Sequence, residues 1–398
     1  MTAMEKKDKN LNVPNLRFPE FSGEWELVRL GDVCKFFSGG TPSSTNKDFY
    51  GGDIPFIRSG EIHCSSTELY ISETGLNSSS AKIIEQGDLL LALYGATSGD
   101  IAISKIKGAI NQAILCIRTN YDNFFLKSCW EKHCRKLLQT YLQGGQGNLS
   151  ADIVKSIKMS FPSCLEQKKI SGLLALIEER ITTQKKIIED LKKLKDAISK
   201  IILSCSDLLE KRVQISEIGT LKNGYAFQSS SYASSGKYEI ITIANVTGER
   251  YICSDGCNHI PAKPSDIQPH QELSVNDILI SLTGNVGRVS LCKEGKFLLN
   301  QRVGLLELHA GINREFVYQV ASSRKFEQSM ISCSQGAAQM NVGKGDVESF
   351  VMPYSSNPLN LQRIASILRS YDELIIIEEK RLRMLLSQKQ YLISAMFI

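Results

Sequence analysis

The two halves of this chain are copies of one another. Gly87-Asp88-Leu89-Leu90-Leu91-Ala92-Leu93-Tyr94-Gly95 lines up with Asn276-Asp277-Ile278-Leu279-Ile280-Ser281-Leu282-Thr283-Gly284, and at the same offset Asn111-Gln112 falls on Asn300-Gln301. Further on, Gly145-Gln146-Gly147-Asn148-Leu149 echoes Ala338-Gln339-Met340-Asn341-Val342. Near the start, Leu30-Gly31-Asp32-Val33 with Gly39-Gly40 has a weaker counterpart in Ile215-Ser216-Glu217-Ile218 with Gly224. A period of half the chain restricts the fold to two structural copies of one unit. The length of 398 residues agrees, being more than one hydrophobic core usually organises.

Within each copy the apolar runs are short and bounded by Gly, Asn, Ser or Asp. They cover Asp88 to Tyr94 and Ala113 to Ile117 in the first half, and Asp277 to Leu282 and Val303 to Leu308 in the second. Runs of that kind predict strands. Phe124 to Leu142 and Phe316 to Ile331 carry apolar residues at helical spacing, so each copy is expected to be a mixed α+β unit.

A long helix is predicted to follow each copy. Ser163-Cys164-Leu165-Glu166 has the S-x-x-E form of a capping box. From there Ile170, Leu174, Ile177, Ile181, Gln184, Ile188, Leu191, Lys195, Ile198 and Ile202 alternate by four and three, which is a heptad seam. The second helix opens on Asn357-Pro358, a favourable cap and first-turn pair. Its seam is Ile364, Leu368, Tyr371, Ile375, Glu378, Leu382, Leu385, Lys389, Leu392 and Met396, with Glu378 and Lys389 at the places of Gln184 and Lys195. Seams of matching length and frame predict that the helices pack on each other rather than each on its own domain, within one chain or between two copies alike, since a heptad seam does not encode that choice. Because a globular domain separates them, the chain returns along the first helix, and the pair is expected to be antiparallel. At 1.5 Å per residue such a seam spans roughly 50 Å. The expected organisation is a first domain over 1–162, a helical spacer over 163–206, a second domain over 207–356 and a second helix over 357–398. The fold class is α/β mixed, two pseudo-repeated α+β domains joined by two long antiparallel coiled-coil helices.

Composition is that of an ordinary globular chain, with 42% hydrophobic and 22% charged residues. A net charge of +5 permits a nucleic-acid partner without requiring one. Met1 to Asn10 is lysine-rich and lacks a secretory apolar stretch, and no segment approaches a membrane span, so a cytoplasmic protein is expected. The eleven cysteines have no framework spacing. Cys129, His133, Cys134 and Cys253, Cys257, His259 lack paired C-x-x-C spacing, and no metal is expected.

Enzymatic signatures are missing. Gly343-Lys344-Gly345 lacks the upstream glycine of a phosphate loop, Gly95-Ala96-Thr97-Ser98-Gly99 and Gly284-Asn285-Val286-Gly287 do not fit G-x-G-x-x-G, and there is no Asn-Pro-Pro-Tyr-like methyltransferase motif. Five histidines suggest no triad, and Glu178-Glu179 and Glu378-Glu379 lie on helices where neighbours diverge. No catalytic residue is assigned.

Pro14-Asn15-Leu16-Arg17-Phe18-Pro19-Glu20-Phe21 leading into Trp25-Glu26 and Leu30-Gly31-Asp32-Val33 resembles the opening of type I restriction-modification specificity subunits. The strands ending at Gly95 and Gly284, the Asn-Gln pairs, the Gly-rich turn before Pro162 and the helix start Glu166-Gln167-Lys168-Lys169-Ile170 resemble that family's repeated pattern, over essentially the whole chain. The second helix departs from it, with Asn360 at the place of Glu166 and Leu361-Gln362-Arg363-Ile364 following. The resemblance implies a non-catalytic subunit that binds double-stranded DNA through two target-recognition domains. It implies assembly with methyltransferase subunits and ATP-dependent restriction subunits. S-adenosylmethionine, ATP and Mg are then expected in those partners, with no cofactor in this chain and no membrane partner.

Two domains on a rod suit two separated half-sites on one duplex, and a rod of this length corresponds to a gap on the order of fifteen base pairs. Candidate DNA readers are polar or basic residues beside glycine turns, where side chains reach base edges. They are Thr41, Arg58, Tyr94, Thr97, Gln112, Gln146 and Asn148 in the first copy, and Tyr225, Asn285, Arg288, Gln301, Arg302, Gln339 and Asn341 in the second. Gln112, Gln301, Asn148 and Asn341 recur in both halves and have loop fixing as an equal alternative. Residues that differ, such as Tyr94 against Thr283 and Thr97 against Val286, are better specificity candidates and predict a non-palindromic target. Lys185, Lys186, Lys192 and Lys193 lie off the seam, where solvation is a simpler role than phosphate contact. Two rival readings remain: a protein-binding coiled-coil adaptor, and a self-contained nuclease or methyltransferase with altered motifs.

Overall fold

The computed structural model describes residues 12–141, 149–334 and 340–398, with side chains for all of these except 135–141. The chain forms two compact units, Met1–Thr183 with Leu382–Ile398, and Gln184–Arg381. Each unit therefore contains one half of each long helix, because the helix ends are part of the domain cores. Ile170, Leu174, Ile393 and Met396 pack into the first core around Trp25, Phe125 and Trp130. Leu361, Ile364, Ala365 and Leu368 pack into the second around Phe316, Phe326 and Phe350.

The units repeat one topology. In the first, a four-stranded antiparallel sheet has the order Cys34–Ser38, Ile114–Thr119, Leu89–Ala92, Ile101–Ile103. In the second, Gly219–Asn223, Val303–Leu308, Ile278–Ser281 and Val289–Leu291 stand in the same order. Leu89 faces Ile117 as Ile278 faces Leu306. A second sheet contains a parallel pair in both units, Tyr50–Ile57 with Gly108–Ile110 and Tyr238–Ile241 with Phe297–Leu299. A short ribbon, Glu26–Arg29 with Lys158–Phe161 or Lys211–Gln214 with Val351–Tyr354, closes each unit before its long helix.

One expected element is two. The apolar pattern over Phe316 to Ile331 is carried by separate helices, Arg314–Ala321 and Arg324–Cys333. Ser323 ends the continuity because its hydroxyl accepts the Phe326 N–H at 3.4 Å, which starts a new helix.

The long helices run unbroken over Cys164–Ser204 and Pro358–Met396. Ser163 accepts the Glu166 N–H at 3.4 Å, as the capping motif predicts, but the Glu166 carboxylate does not turn back to complete the box. Arg17 holds it instead, through Nε at 2.7 Å and Nη2 at 2.8 Å. The second helix begins with Asn357 Oδ1 accepting the Leu359 N–H at 3.0 Å. Ile170, Leu174, Ile177, Ile181, Ile188, Ile364, Leu368 and Ile375 are buried, and Leu191, Ile198, Tyr371, Leu382, Leu385 and Leu392 are half-buried.

Within each unit the two helix segments are antiparallel, fixed by polar contacts in the apolar seam. In the second unit Gln184 donates to Glu378 Oε2 at 2.6 Å, and Lys195 pairs with Asp372 at 2.5 Å. In the first, Lys389 pairs with Glu178 at 2.7 Å and with Glu131 at 3.0 Å, and Lys127 joins Glu178 at 2.7 Å. The Lys195–Asp372 and Lys389–Glu178 pairs are one contact made twice, with the roles of the helices exchanged. A polar group in an apolar seam costs stability when mispaired, which selects one register.

These layers predict an acid limit. Burial pushes the Glu178 carboxyl up, but bonds from Lys127 and Lys389 outweigh it and hold it below the ordinary range. Burial also raises Glu315, and bonds from Arg250 and Gln319 outweigh it in the same way. A carboxyl lowered in the folded state adds stability that is present above its unfolded value, near 4.3, and is lost as pH falls through the folded value. Melting temperatures should hold level down to about pH 5 and fall steadily below about pH 4. An unchanged Tm between those values and about pH 3 would show that the layers contribute no such linkage.

Candidate nucleic-acid interface

At one end of each four-stranded sheet, three segments remote in sequence are joined by backbone bonds into a platform. In the second unit the Leu282 N–H donates to the Arg302 carbonyl at 3.0 Å, Gly284 N–H to Met340 at 3.1 Å, and Val342 N–H to Leu282 at 2.8 Å. In the first, Leu93 N–H donates to Ala113 at 2.8 Å and Leu149 N–H to Leu93 at 2.9 Å. The repeat seen in sequence is therefore a repeat of hydrogen bonds. The turns themselves match: Gly95 and Gly284 have φ of +73° and +70°, and Gly99 and Gly287 have +86° and +78°, conformations that L side chains rarely adopt.

A fourth strand end completes each platform, and glycine is needed there. A Cβ on Gly39 would lie 1.7 Å from the Ile110 carbonyl oxygen, and one on Gly224 2.3 Å from that of Asn300. The asparagines of the Asn-Gln pairs are structural: Asn111 Oδ1 accepts the Ala113 N–H and Asn300 Oδ1 the Arg302 N–H, both at 3.1 Å.

On this frame the candidate readers fall into groups. Tyr94, Asn285, Gln301, Arg302 and Asn341 are exposed, and Thr97 is half-buried in the turn Gly95–Thr97. Thr41 and Gln112 are brought together, the threonine hydroxyl donating to Gln112 Oε1 at 2.6 Å. Arg58 is held by two carboxylates, Glu61 at 3.0 Å and Glu68 at 2.6 Å. Partial burial raises the Glu61 carboxyl, but Arg58 and the backbone N–H groups of Glu68 and Arg58 bring it down to about 2. Tyr225 donates to Asp266 at 2.9 Å. Arg288 stands 3.8 Å from Glu327, a loose pair. Gln146, Asn148 and Gln339 lie outside the described residues.

Two platform residues, Asp100 and Met340, are not among the sequence-derived candidates. Asp100 closes the first turn, its carbonyl accepting the Ala92 N–H at 2.8 Å, and its carboxylate meets His63 at 3.0 Å. Arg288 closes the second turn in the same way, so the two copies differ in charge at one position. The alignment hides this because the second turn is one residue shorter. Met340, 45% exposed, stands beside Asn341.

Off the platforms, Lys192 pairs with Glu249 and Glu379, both at 2.9 Å, and Lys193 with Glu189 at 2.5 Å, while Lys185 and Lys186 are exposed. Among the described residues no group of three His, Cys, Asp or Glu side chains is placed to hold a metal ion, and no helix is long and apolar enough to cross a membrane.

The family model described as the type I restriction modification DNA specificity domain matches the chain twice, over residues 22–193 and 210–386. The chain belongs to this family. The MjaVIII specificity subunit of Methanocaldococcus jannaschii is 23% identical, over 94% of this chain and 92% of its own length. The HindI specificity subunit of Haemophilus influenzae is 28% identical over 37% of this chain and 35% of its own. Among solved structures, the specificity subunit from M. genitalium superposes with a TM-score of 0.62 at 15% identity, covering 97% of this chain and 99% of that one. A chain from a type I restriction-modification assembly gives 0.56 at 16% identity, over 93% and 96%. The resemblance read from the sequence is borne out, and with it the fold of two pseudo-repeated domains and long helices. This specificity subunit is the DNA-recognition member of its system, and catalysis belongs to the other subunits.

Proposed function

We propose that this specificity subunit reads a split, asymmetric DNA target, one half-site per platform, with the long helices setting the gap and docking methyltransferase subunits. The observation that carries this is the pair of platforms: one backbone frame made twice, bearing Tyr94, Thr97 and Gln112 in one copy and Asn285, Gln301, Arg302 and Asn341 in the other. Equal frames present their side chains to DNA alike, and unequal side chains select unequal base sequences. Gln301 and Asn341 have amides suited to adenine, and Arg288 and Arg302 have forks suited to guanine.

Helix docking is supported by apolar side chains that no part of their own unit covers. Leu165 and Leu176 on the first helix are 73% and 60% exposed, and Met384 and Tyr391 on the second are 65% and 64% exposed. Ile201 and Leu359 in the second unit are 71% and 57% exposed. Exposed apolar rows along a helix mark a surface for partner helices. In this reading S-adenosylmethionine, ATP and Mg are used by the methyltransferase and restriction subunits, and the complex works in the cytoplasm.

The test is methylation-site mapping in cells that carry this chain with its methyltransferase, before and after exchanging Val213 to Pro353 for the same segment of a relative. A split motif with only one half rewritten is expected. An unchanged motif would remove recognition from the platforms and favour an adaptor role.

A further inference from the structure

The two platforms differ most in arginine. At the position where the first copy has Ala113 the second has Arg302, and where the first turn closes on Asp100 the second closes on Arg288. The arginine candidate of the first copy, Arg58, is bound by Glu61 and Glu68. Arg302 is exposed, and among the described residues no carboxylate or other side chain holds its guanidinium. Its backbone, by contrast, is fixed at both ends: the N–H is bound by Asn300 Oδ1 at 3.1 Å, and the carbonyl by the Leu282 N–H at 3.0 Å.

A pinned backbone with a free guanidinium fork is an arrangement for reading rather than tethering. Two parallel N–H donors match the O6 and N7 acceptors of guanine and no other base edge in the major groove. A phosphate tether works best among other cations, which sum their fields along the backbone. Among the described residues, the other exposed members of the Arg302 platform are instead neutral, Asn285, Gln301, Met340 and Asn341. Arg288 is drawn toward Glu327.

Resting on the reading of the platforms as DNA readers, we propose that Arg302 is a specificity-determining residue that selects a guanine in the half-site of the second unit. Among the described residues the first platform offers no free arginine, and its half-site is read through the hydroxyl groups of Tyr94 and Thr97 and the Gln112 Nε2 donor that Thr41 leaves open.

The experiment compares the complex of this subunit with its methyltransferase, wild type and carrying Arg302→Ala or Arg302→Lys, by genome-wide methylation mapping and by DNA binding across a salt series. Arg302 is exposed, so melting temperature should not move. The expected result is that one guanine position in one half-site becomes degenerate, its preference over other bases falling about ten- to a hundred-fold. Lysine should restore only part of it, since it lacks the fork. The other half-site and the salt slope should be unchanged. Uniform weakening on all sequences with a shallower salt slope would make Arg302 a phosphate contact and overturn the proposal, as would an unaltered motif. If exchanging Val213 to Pro353 rewrites a half-site while Arg302→Ala does not, this inference alone fails. If neither alters the motif, the platform reading fails with it.

Discussion

Replacing Asp372 with alanine should cost the second unit about 3–5 kcal/mol, the penalty for leaving buried charges without their partner. Asp372 and Arg250 are 7% and 6% exposed. One carboxylate oxygen accepts from Lys195 at 2.5 Å, and the other from Arg250 Nη1 at 3.1 Å and Gln319 Nε2 at 2.7 Å. Arg250 also grips Glu315 through two bonds of 2.7 Å and 2.6 Å, and its Nε has no partner among the described residues. The aspartate thus ties both long-helix segments of the unit to the body of its domain. Both tryptophans, Trp25 and Trp130, lie in the first unit, so fluorescence does not report this loss. Hydrogen exchange does: amides of the helix Arg314–Ala321 should exchange roughly two to nearly four orders of magnitude faster. A change under about threefold would mean that the network carries little net energy. The double replacement Arg250→Met with Asp372→Leu should recover only part of the loss, since it removes the buried pair but leaves Lys195 and Glu315 without their partners.

Trp130→Ala should have a comparable effect on the first unit, about 3–5 kcal/mol, by emptying a fully enclosed aromatic site. Trp130 is 1% exposed and its indole N–H donates to the Gly99 carbonyl at 2.8 Å. That bond holds the turn bearing Tyr94 and Thr97 against the helix Asn123–Tyr141. Trp130→Phe keeps most of the packing and removes the stronger of two donors to Gly99, the other being Cys134 Sγ at 3.3 Å, with an expected cost of about 1 kcal/mol. Its functional signature is selective: the first half-site should become degenerate in methylation maps, and the second should stay intact. Equal loss in both halves would show a general folding defect instead. The second unit supports its turn differently, with the Met330 side chain packed where a Cβ on Gly287 would stand, 2.7 Å away. Among the described residues no single hydrogen bond plays the part of Trp130 there.

Much of this architecture was legible in the residues. The strand Val303–Leu308 coincides with its apolar run, Leu89–Ala92 lies inside Asp88 to Tyr94, and the long helices start within a residue of their capping motifs. These features rest on local chemistry: alternation, turn residues, caps and a heptad period. The same locality explains the errors. The pattern over Phe316 to Ile331 reads as one helix because apolar spacing does not register a serine that caps a second one. Glu166 reads as half of a capping box because the sequence nearby contains no sign of Arg17.

The candidate site was legible to a smaller degree. Its turns were placed by glycine and by the Asn-Gln pairs, and the structure joins them at one sheet end. Which side chains are free to meet a ligand was not, since Arg58 is taken by Glu68, Thr41 by Gln112 and Tyr225 by Asp266. Arg302 and Arg58 are equivalent as letters and opposite in availability. By itself, the sequence determined that this protein is a duplicated α+β unit with two paired helices, because repeats and periodicity are written into consecutive residues. Only the tertiary structure decided which charges are buried together in the seam and which polar groups remain open on the platforms. Those outcomes depend on hydrogen bonds between residues far apart in the chain, and no local pattern encodes them.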